Sequence, residues 1–235
     1  MKISAGNLSS KNMNNERPIL AIESSESFCG VGVYFSDDKY FHTVLKDKHS
    51  HSELIMDSVD YVLRSSGVQL NDLSAIAVSS GPGSFTGLRI GMSAAKGLAF
   101  GSGLSIIPVP TFEAMAMQIS EFLNEGDKFI IANSVNSDEM YYAKFQVNLN
   151  KAIFVENLKI LKSKYLEMND FEPIFGNVIS NYDYEKRKFR NVTAPDSVYI
   201  AKWAKQYGEK LKTNNFDYLE PNYLKNFIVK VKNNA

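Results

Sequence analysis

The densest run of residues with chemical potential is Ser79-Ser80-Gly81-Pro82-Gly83-Ser84-Phe85-Thr86-Gly87. Its glycines let backbone amides approach a ligand closely, and a helical pattern starts directly after it. Such a place favours anions, because unpaired N–H groups and the helix dipole face it. No Gly-Lys-Ser/Thr follows, so the run is not a Walker A loop. The competing reading is a tight strand-to-helix turn with Ser84 or Thr86 as the helix cap. A second polar cluster, Glu23-Ser24-Ser25-Glu26, closes the apolar run Ile19 to Ile22 and offers a carboxylate near a turn. Metal and thiol chemistry are poorly served. The three histidines are His42, His49 and His51, and the last two are two apart, so they cannot share one helix face. Cys29 is the single cysteine, has no histidine nearby and can form neither an intramolecular disulfide nor a Cys-based zinc site.

These residues need elements to hold them. Ile19 to Ile22, Phe28 to Phe35 and Tyr40 to Leu45 predict a three-stranded meander, with Ser36-Asp37-Asp38-Lys39 as a turn. Ser50 to Ser66 predicts a helix capped by Ser50 or Ser52 and closed by Gly67. Leu73 to Ser79 is the strand before the glycine loop, and Thr86 to Phe100 the helix after it. Leu104 to Val109 is the next strand and Thr111 to Leu123 a third helix, whose Phe112, Met115, Met117 and Ile119 read as core. Beyond Asn124-Glu125-Gly126-Asp127, Lys128 to Val135 and Glu139 to Val147 read as strands and Ser197 to Leu211 as a helix. The stretch from Leu158 to Arg190 is mixed, and no internal sequence repeat is visible. The expected division is therefore a polar, disordered leader over 1–17, a first lobe over 18–125 and a second lobe with the C-terminal segment over 126–235.

Composition excludes some functions. Lys plus Arg and Asp plus Glu number 26 each. This balance argues against a protein that grips nucleic acid by itself, since phosphate contacts need a basic excess. No apolar run is long enough for a transmembrane helix. One cysteine fits a reducing compartment, and the expected location is cytoplasmic.

The helix from Ser50 to Ser66 is unusually apolar. Leu54, Ile55, Met56, Val59, Tyr61, Val62 and Leu63 span an arc of roughly 220°, with Ser58 as the polar break. Glu53, Asp57, Asp60 and Arg64 hold the remaining face. An arc wider than one core needs predicts a partner surface, on the flank of Leu54, Ser58 and Tyr61 or on the opposite flank of Met56 and Leu63. The competing reading is that the chain's own sheet and loops cover the whole arc. Gly87, Gly91, Ala95 and Ala99, four apart, form a small stripe on the next helix that permits close approach of another helix or the sheet. Gly87, Gly91 and Ala95 are expected to extend the partner surface, with tight internal packing as the competing reading.

Three stretches then resemble one family. Ile19-Leu20-Ala21-Ile22-Glu23-Ser24-Ser25, His51-Ser52-Glu53-Leu54 and Ser80-Gly81-Pro82-Gly83-Ser84-Phe85-Thr86-Gly87-Leu88-Arg89-Ile90-Gly91 are similar to the TsaB (YeaZ) family. The resemblance is firm from Ile19 to Phe122 and returns at Glu220-Pro221-Asn222-Tyr223-Leu224-Lys225. It implies an α/β fold of the actin-like, ribonuclease H-like (ASKHA) class with two lobes, the second smaller and divergent. It further implies a non-catalytic partner subunit of TsaD, with TsaE as third member, a possible homodimer, and tRNA engaged only through the complex. That machinery forms threonylcarbamoyladenosine at position 37 of tRNAs reading codons that begin with adenine. TsaD-like enzymes carry His-x-x-x-His where this chain has Thr111 and Met115, so no metal and no cofactor is expected in the isolated chain. The family's first strand ends in Asp-Thr-Ser, and Glu23 departs from it. Ser134 and Asn136 stand where the family has Asp-x-Arg. Glu23, Ser24, Ser25, Gly81, Pro82, Gly83, Ser84, Thr86 and Gly87 are thus expected to be degenerate nucleotide-loop positions. The alternatives are an actin-fold ATPase or kinase using Glu23 and the Gly81 loop, or a metallopeptidase of the glycoprotease kind.

Overall fold

Strand β1 (Ile19–Glu23) is buried along its whole length and forms the middle of a five-stranded sheet. A computed structural model describes residues 17–46, 51–166, 172–178, 189–190 and 192–224, without the side chains of 51–53 and 189–190. The expected leader apart from Arg17, His49, Ser50 as a cap, Lys225 and much of 158–190 lie outside these residues.

Strand β2 (Cys29–Ser36) pairs antiparallel with β1, and β3 (Lys39–Leu45) antiparallel with β2. Helix α1 (His51–Ser66) follows, starting early enough that Ser52 lies inside it and is not its cap. Strand β4 (Ala75–Gly81) then pairs parallel with β1, helix α2 (Phe85–Ser102) returns, and β5 (Ile106–Pro110) pairs parallel with β4. The order β3-β2-β1-β4-β5, antiparallel then parallel, is the ribonuclease H-like arrangement that the sequence predicts. Helix α3 (Thr111–Ser120) leads onward and ends three residues short of its expected Leu123.

The second sheet is built from β6 (Lys128–Ser134), β7 (Glu139–Asn148), β8 (Lys151–Lys162), β9 (Ile174–Phe175) and β10 (Phe189–Arg190). Its order is β10-β9-β6-β7-β8. β7 is antiparallel to β6 and β8 to β7, while β9 is parallel to β6 and β10 to β9. Strand for strand, this repeats the first sheet. The repeat is invisible in the sequence and plain in the topology. Helix α4 (Ser197–Tyr207) comes from the second half of the chain but packs on β1 and β2 of the first sheet.

Burial follows the strand alternation that places successive side chains on opposite faces. Leu20, Ile22, Val31, Val33, Ile76 and Val78 meet α1 and α2 on one face. Ile19, Ala21, Ala75, Ala77 and Val109 meet α3 and α4, including Ile200 and Trp203, on the other. Phe112, Met115 and Ile119 of α3 turn instead toward Phe129, Phe145 and Phe175 of the second sheet. Helix α3 therefore joins the two sheets through different faces.

Candidate functional site

The glycine loop joins β4 to α2 and faces the turn that leaves β1. Ser84 caps α2, its hydroxyl accepting from the Gly87 amide at 3.2 Å. The Ser84 amide donates to the Ser25 carbonyl at 2.6 Å, and Gly81 N–H donates to Thr111 Oγ1 at 3.0 Å. Ser24 N–H donates to Ser79 Oγ at 3.3 Å, and the Ser24 hydroxyl donates to the Gly87 carbonyl at 2.9 Å. The glycines serve this contact. A Cβ at Gly83 would stand 2.5 Å from the Ser25 carbonyl oxygen, and one at Gly87 or Gly91 would collide with Ser24. The loop's open side thus holds the chain's own Ser24-Ser25 turn, and the amides of Gly81, Ser84 and Gly87 are already used. This geometry supports the tight-turn reading, with Ser84 and not Thr86 as cap. Pro82 is buried behind the loop, and Thr86 is exposed on the first turn of α2.

The carboxylates tell the same story. Glu23 is fully buried, and its Oε1 accepts from the Ser25 amide at 2.5 Å. Burial pushes its pKa up to about 7, while the Ser25 and Ser79 groups nearby pull it down. Among the described residues Glu23 Oε2 and Ser25 Oγ lack a partner in hydrogen-bonding geometry. Glu26, half-buried, is also raised to about 7 by burial, against the opposing pull of the Asn177 amide. Glu26 accepts from Asn177 Nδ2 at 2.9 Å and from Asn133 Nδ2 at 3.2 Å. Asn133 also donates to the Thr193 carbonyl at 2.8 Å and accepts from the Asn177 amide at 3.1 Å. This polar link between the β1 turn and the second sheet escaped the sequence reading, because isolated asparagines carry no spacing signal. The Ser134 amide joins this link by donating to Asn177 Oδ1 at 2.7 Å, while the Ser134 and Asn136 side chains turn away from it. Asn136 Oδ1 accepts from the Asp138 and Glu139 amides, and Ser134 Oγ donates to the Asn136 carbonyl, so both shape the β6–β7 turn.

Thr111 and Met115 are buried, the first accepting from Gly81 and the second packed among the core aromatics. No cluster of three metal-ligating side chains occurs among the described residues. His42 lies on β3, 3.0 Å from Asp196 Oδ1 at the start of α4. Cys29 is buried, its thiol pushed up to about 12 by burial first and by Glu23 second, which makes it a poor nucleophile.

The apolar arc of α1 is mostly consumed by its own sheet. Ile55, Ser58, Val59 and Val62 are buried, and Leu54 and Leu63 partly so. Ser58 gives its hydroxyl to the Leu54 carbonyl at 2.8 Å. Met56 and Tyr61 remain exposed, at 46% and 60%. Gly87, Gly91 and Ala95, expected on a partner surface, are buried within this chain against Ser24 and the sheet. That expectation is corrected: their small size serves internal packing. The C-terminal motif closes over the loop. Asn222 N–H donates to the Ser80 carbonyl at 2.7 Å, and Tyr223 packs on Phe85 with 5.0 Å between ring centroids. Arg89 stacks on Phe85 at 3.8 Å and donates to Tyr223 Oη at 3.1 Å.

Comparison with known proteins adds a family context. The family model described as "TsaD: tRNA N6-adenosine threonylcarbamoyltransferase" matches residues 44–168, more than half of the chain. A tRNA threonylcarbamoyladenosine biosynthesis protein TsaB from Haemophilus influenzae is 34% identical over 126 residues, which cover 54% of this chain and 52% of that protein. Its Escherichia coli K12 counterpart is 36% identical over 132 residues, 56% of each chain. The matched stretch thus spans about half the length of these two curated relatives. The solved structure of YeaZ from Pseudomonas aeruginosa superposes with a TM-score of 0.72 at 20% identity, covering 88% of this chain and 99% of that one. At that identity the likeness establishes the fold.

Proposed function

The chain belongs to the TsaB family, within the wider family described by the threonylcarbamoyltransferase model, and from that premise we propose that it is a non-catalytic partner subunit in threonylcarbamoyladenosine formation on tRNA. One observation carries the reading. The strand turn and glycine loop, where an actin-like enzyme would hold a nucleotide, are packed on each other, with Glu23 sealed beneath them. Thr111 and Met115 support it, since a hydroxyl and a thioether are weak ligands for zinc or iron.

The proposed partner is a TsaD protein, with a TsaE protein as third member, pairing of two copies as an alternative assembly, and tRNA met through the complex. The two exposed edges of the α1 arc, Met56 on one side and Tyr61 on the other, are the proposed contact. The two lobes are taken as 18–125 and 126–235, with α4 lent by the second to the first. A cytoplasmic site of action belongs to the same proposal; no described helix is long and apolar enough to cross a membrane.

Nucleotide binding and hydrolysis by the purified chain, alone and mixed with a TsaD protein, test the reading. The expected result is negligible ATP turnover by the chain alone. Steady turnover by the chain alone, abolished by Glu23→Gln, would return it to the ATPase class.

A further inference from the structure

Away from the glycine loop, a groove of about 650 Å³ lies between α3, α4 and the β7–β8 hairpin. Its walls are aromatic and apolar: Trp203 and Tyr207 from α4, Met117 from α3, Phe145 from β7 and Phe154 from β8. Trp203 and Phe145 are almost wholly buried, while Phe154 and Tyr207 are each 40% exposed. One wall is therefore fixed in the core and the other is open to an entering molecule. The size lies within the range of small-molecule sites, which combine apolar walls with a few placed polar groups.

Glu113 of α3 supplies such a group. Burial raises its pKa, and a hydrogen bond from the Trp203 side chain works the other way. Among the described residues no ion pair engages it. Neither lysine lining the same groove forms an ion pair with Glu113 among the described residues. Lys202 pairs with Glu121 at 2.6 Å and Asp37 at 3.1 Å, and Glu121 also accepts from Tyr199 at 2.6 Å. Lys151 stands exposed at the rim, 5.9 Å from the Tyr207 ring centroid. The hairpin tip forms one end of the groove. Leu149 and Asn150 both hold positive φ, 51° and 58°, and Leu149 is 80% exposed at the groove. The two-residue turn between β7 and β8 sets that backbone, since such turns take positive φ at both central residues. Here Glu125 accepts from the Leu149 amide at 3.0 Å.

A carboxylate without an ion partner beside aromatic faces selects by charge. An anion would meet Glu113 and the negative faces of the rings, with Lys151 at the rim to favour it. A wholly apolar ligand would bury the carboxylate further and leave it uncompensated. A cation gains from both features, pairing with the carboxylate and resting over the rings. We propose that this groove binds an organic cation, a protonated amine carried on an aromatic or alkyl body.

Trp203 is the single tryptophan and lines the groove, so its emission reports occupancy directly. The full chain is titrated at neutral pH with phenylbutylamine and, separately, with phenylbutanol, its uncharged counterpart. The amine should change the emission saturably, at a concentration at least about tenfold lower than the alcohol. Glu113→Gln, with folding checked by circular dichroism, should erase that preference and leave the alcohol's weaker binding in place. If that variant does not fold, Phe154→Ala takes its place and should weaken both probes. Equal half-saturation for amine and alcohol on the native chain overturns the proposal. So does the absence of any saturable response to the amine, or a preference that survives Glu113→Gln.

Discussion

Two glycines of one helix make opposite demands. Gly87 and Gly97 both lie in α2, yet a Cβ at Gly87 would collide with the Ser24 carbonyl, while one at Gly97 meets nothing within 4 Å. Gly87→Ala should therefore cost a few kcal/mol, roughly 2–4, by forcing the β1 turn off the loop. Gly97→Ala should stabilise by about 0.5–1 kcal/mol, because only helix propensity changes. Denaturant midpoints of the two variants check the pair, and equal shifts would refute the close-approach argument. Glu23 makes a pH prediction. Its folded pKa, about 7, lies above the ordinary 4.5. The folded state holds the proton more tightly, so stability falls as pH rises from about 4.5 to about 7 and levels off above that. Glu26 adds in the same direction. Glu23→Gln should flatten the slope and raise the melting temperature at pH 8, by up to about 3 kcal/mol of stability, while changing little near pH 4. A variant less stable than the native chain at pH 8 would show that the buried carboxylate is needed in its charged form.

At the scale of elements, α1 carries the testable surface. Its inner side at Ile55, Val59 and Val62 is covered by its own sheet, and Met56 and Tyr61 point outward. Met56→Glu and Tyr61→Glu should each leave stability within about ±0.5 kcal/mol, as surface changes do. At least one should abolish association with a TsaD protein or with a second copy, read by analytical ultracentrifugation. Unaltered association in both would remove this helix from the interface. The wheel drawn from sequence made the apolar arc visible, but it could not say how much of the arc the sheet would cover. The same limit explains the elements. β1, β2 and β4 announced themselves as buried runs ended by Ser, Gly or Asp. β8 did not, because its twelve residues form an edge strand that leaves Ile153, Phe154 and Val155 exposed and interleaves Glu156 and Lys159. Its turn, Leu149-Asn150, also lacks the glycine that marks most such hairpins.

Across the whole molecule, the duplicated sheet order and the return of α4 to the first sheet were not legible, since both depend on which distant segments meet. The glycine loop was legible as a close approach, but its occupant, Ser24-Ser25, was not. That occupant carries the proposed reading, because it leaves the loop holding the chain's own backbone. The most direct test is the amount of threonylcarbamoyladenosine formed in tRNA by a TsaD protein, with and without this chain. The account predicts no product from this chain alone and product from the pair. It also predicts undiminished product when the chain carries Glu23→Gln. Product formed by this chain alone, or an output from the TsaD protein that is the same whether the chain is present or omitted, would contradict it.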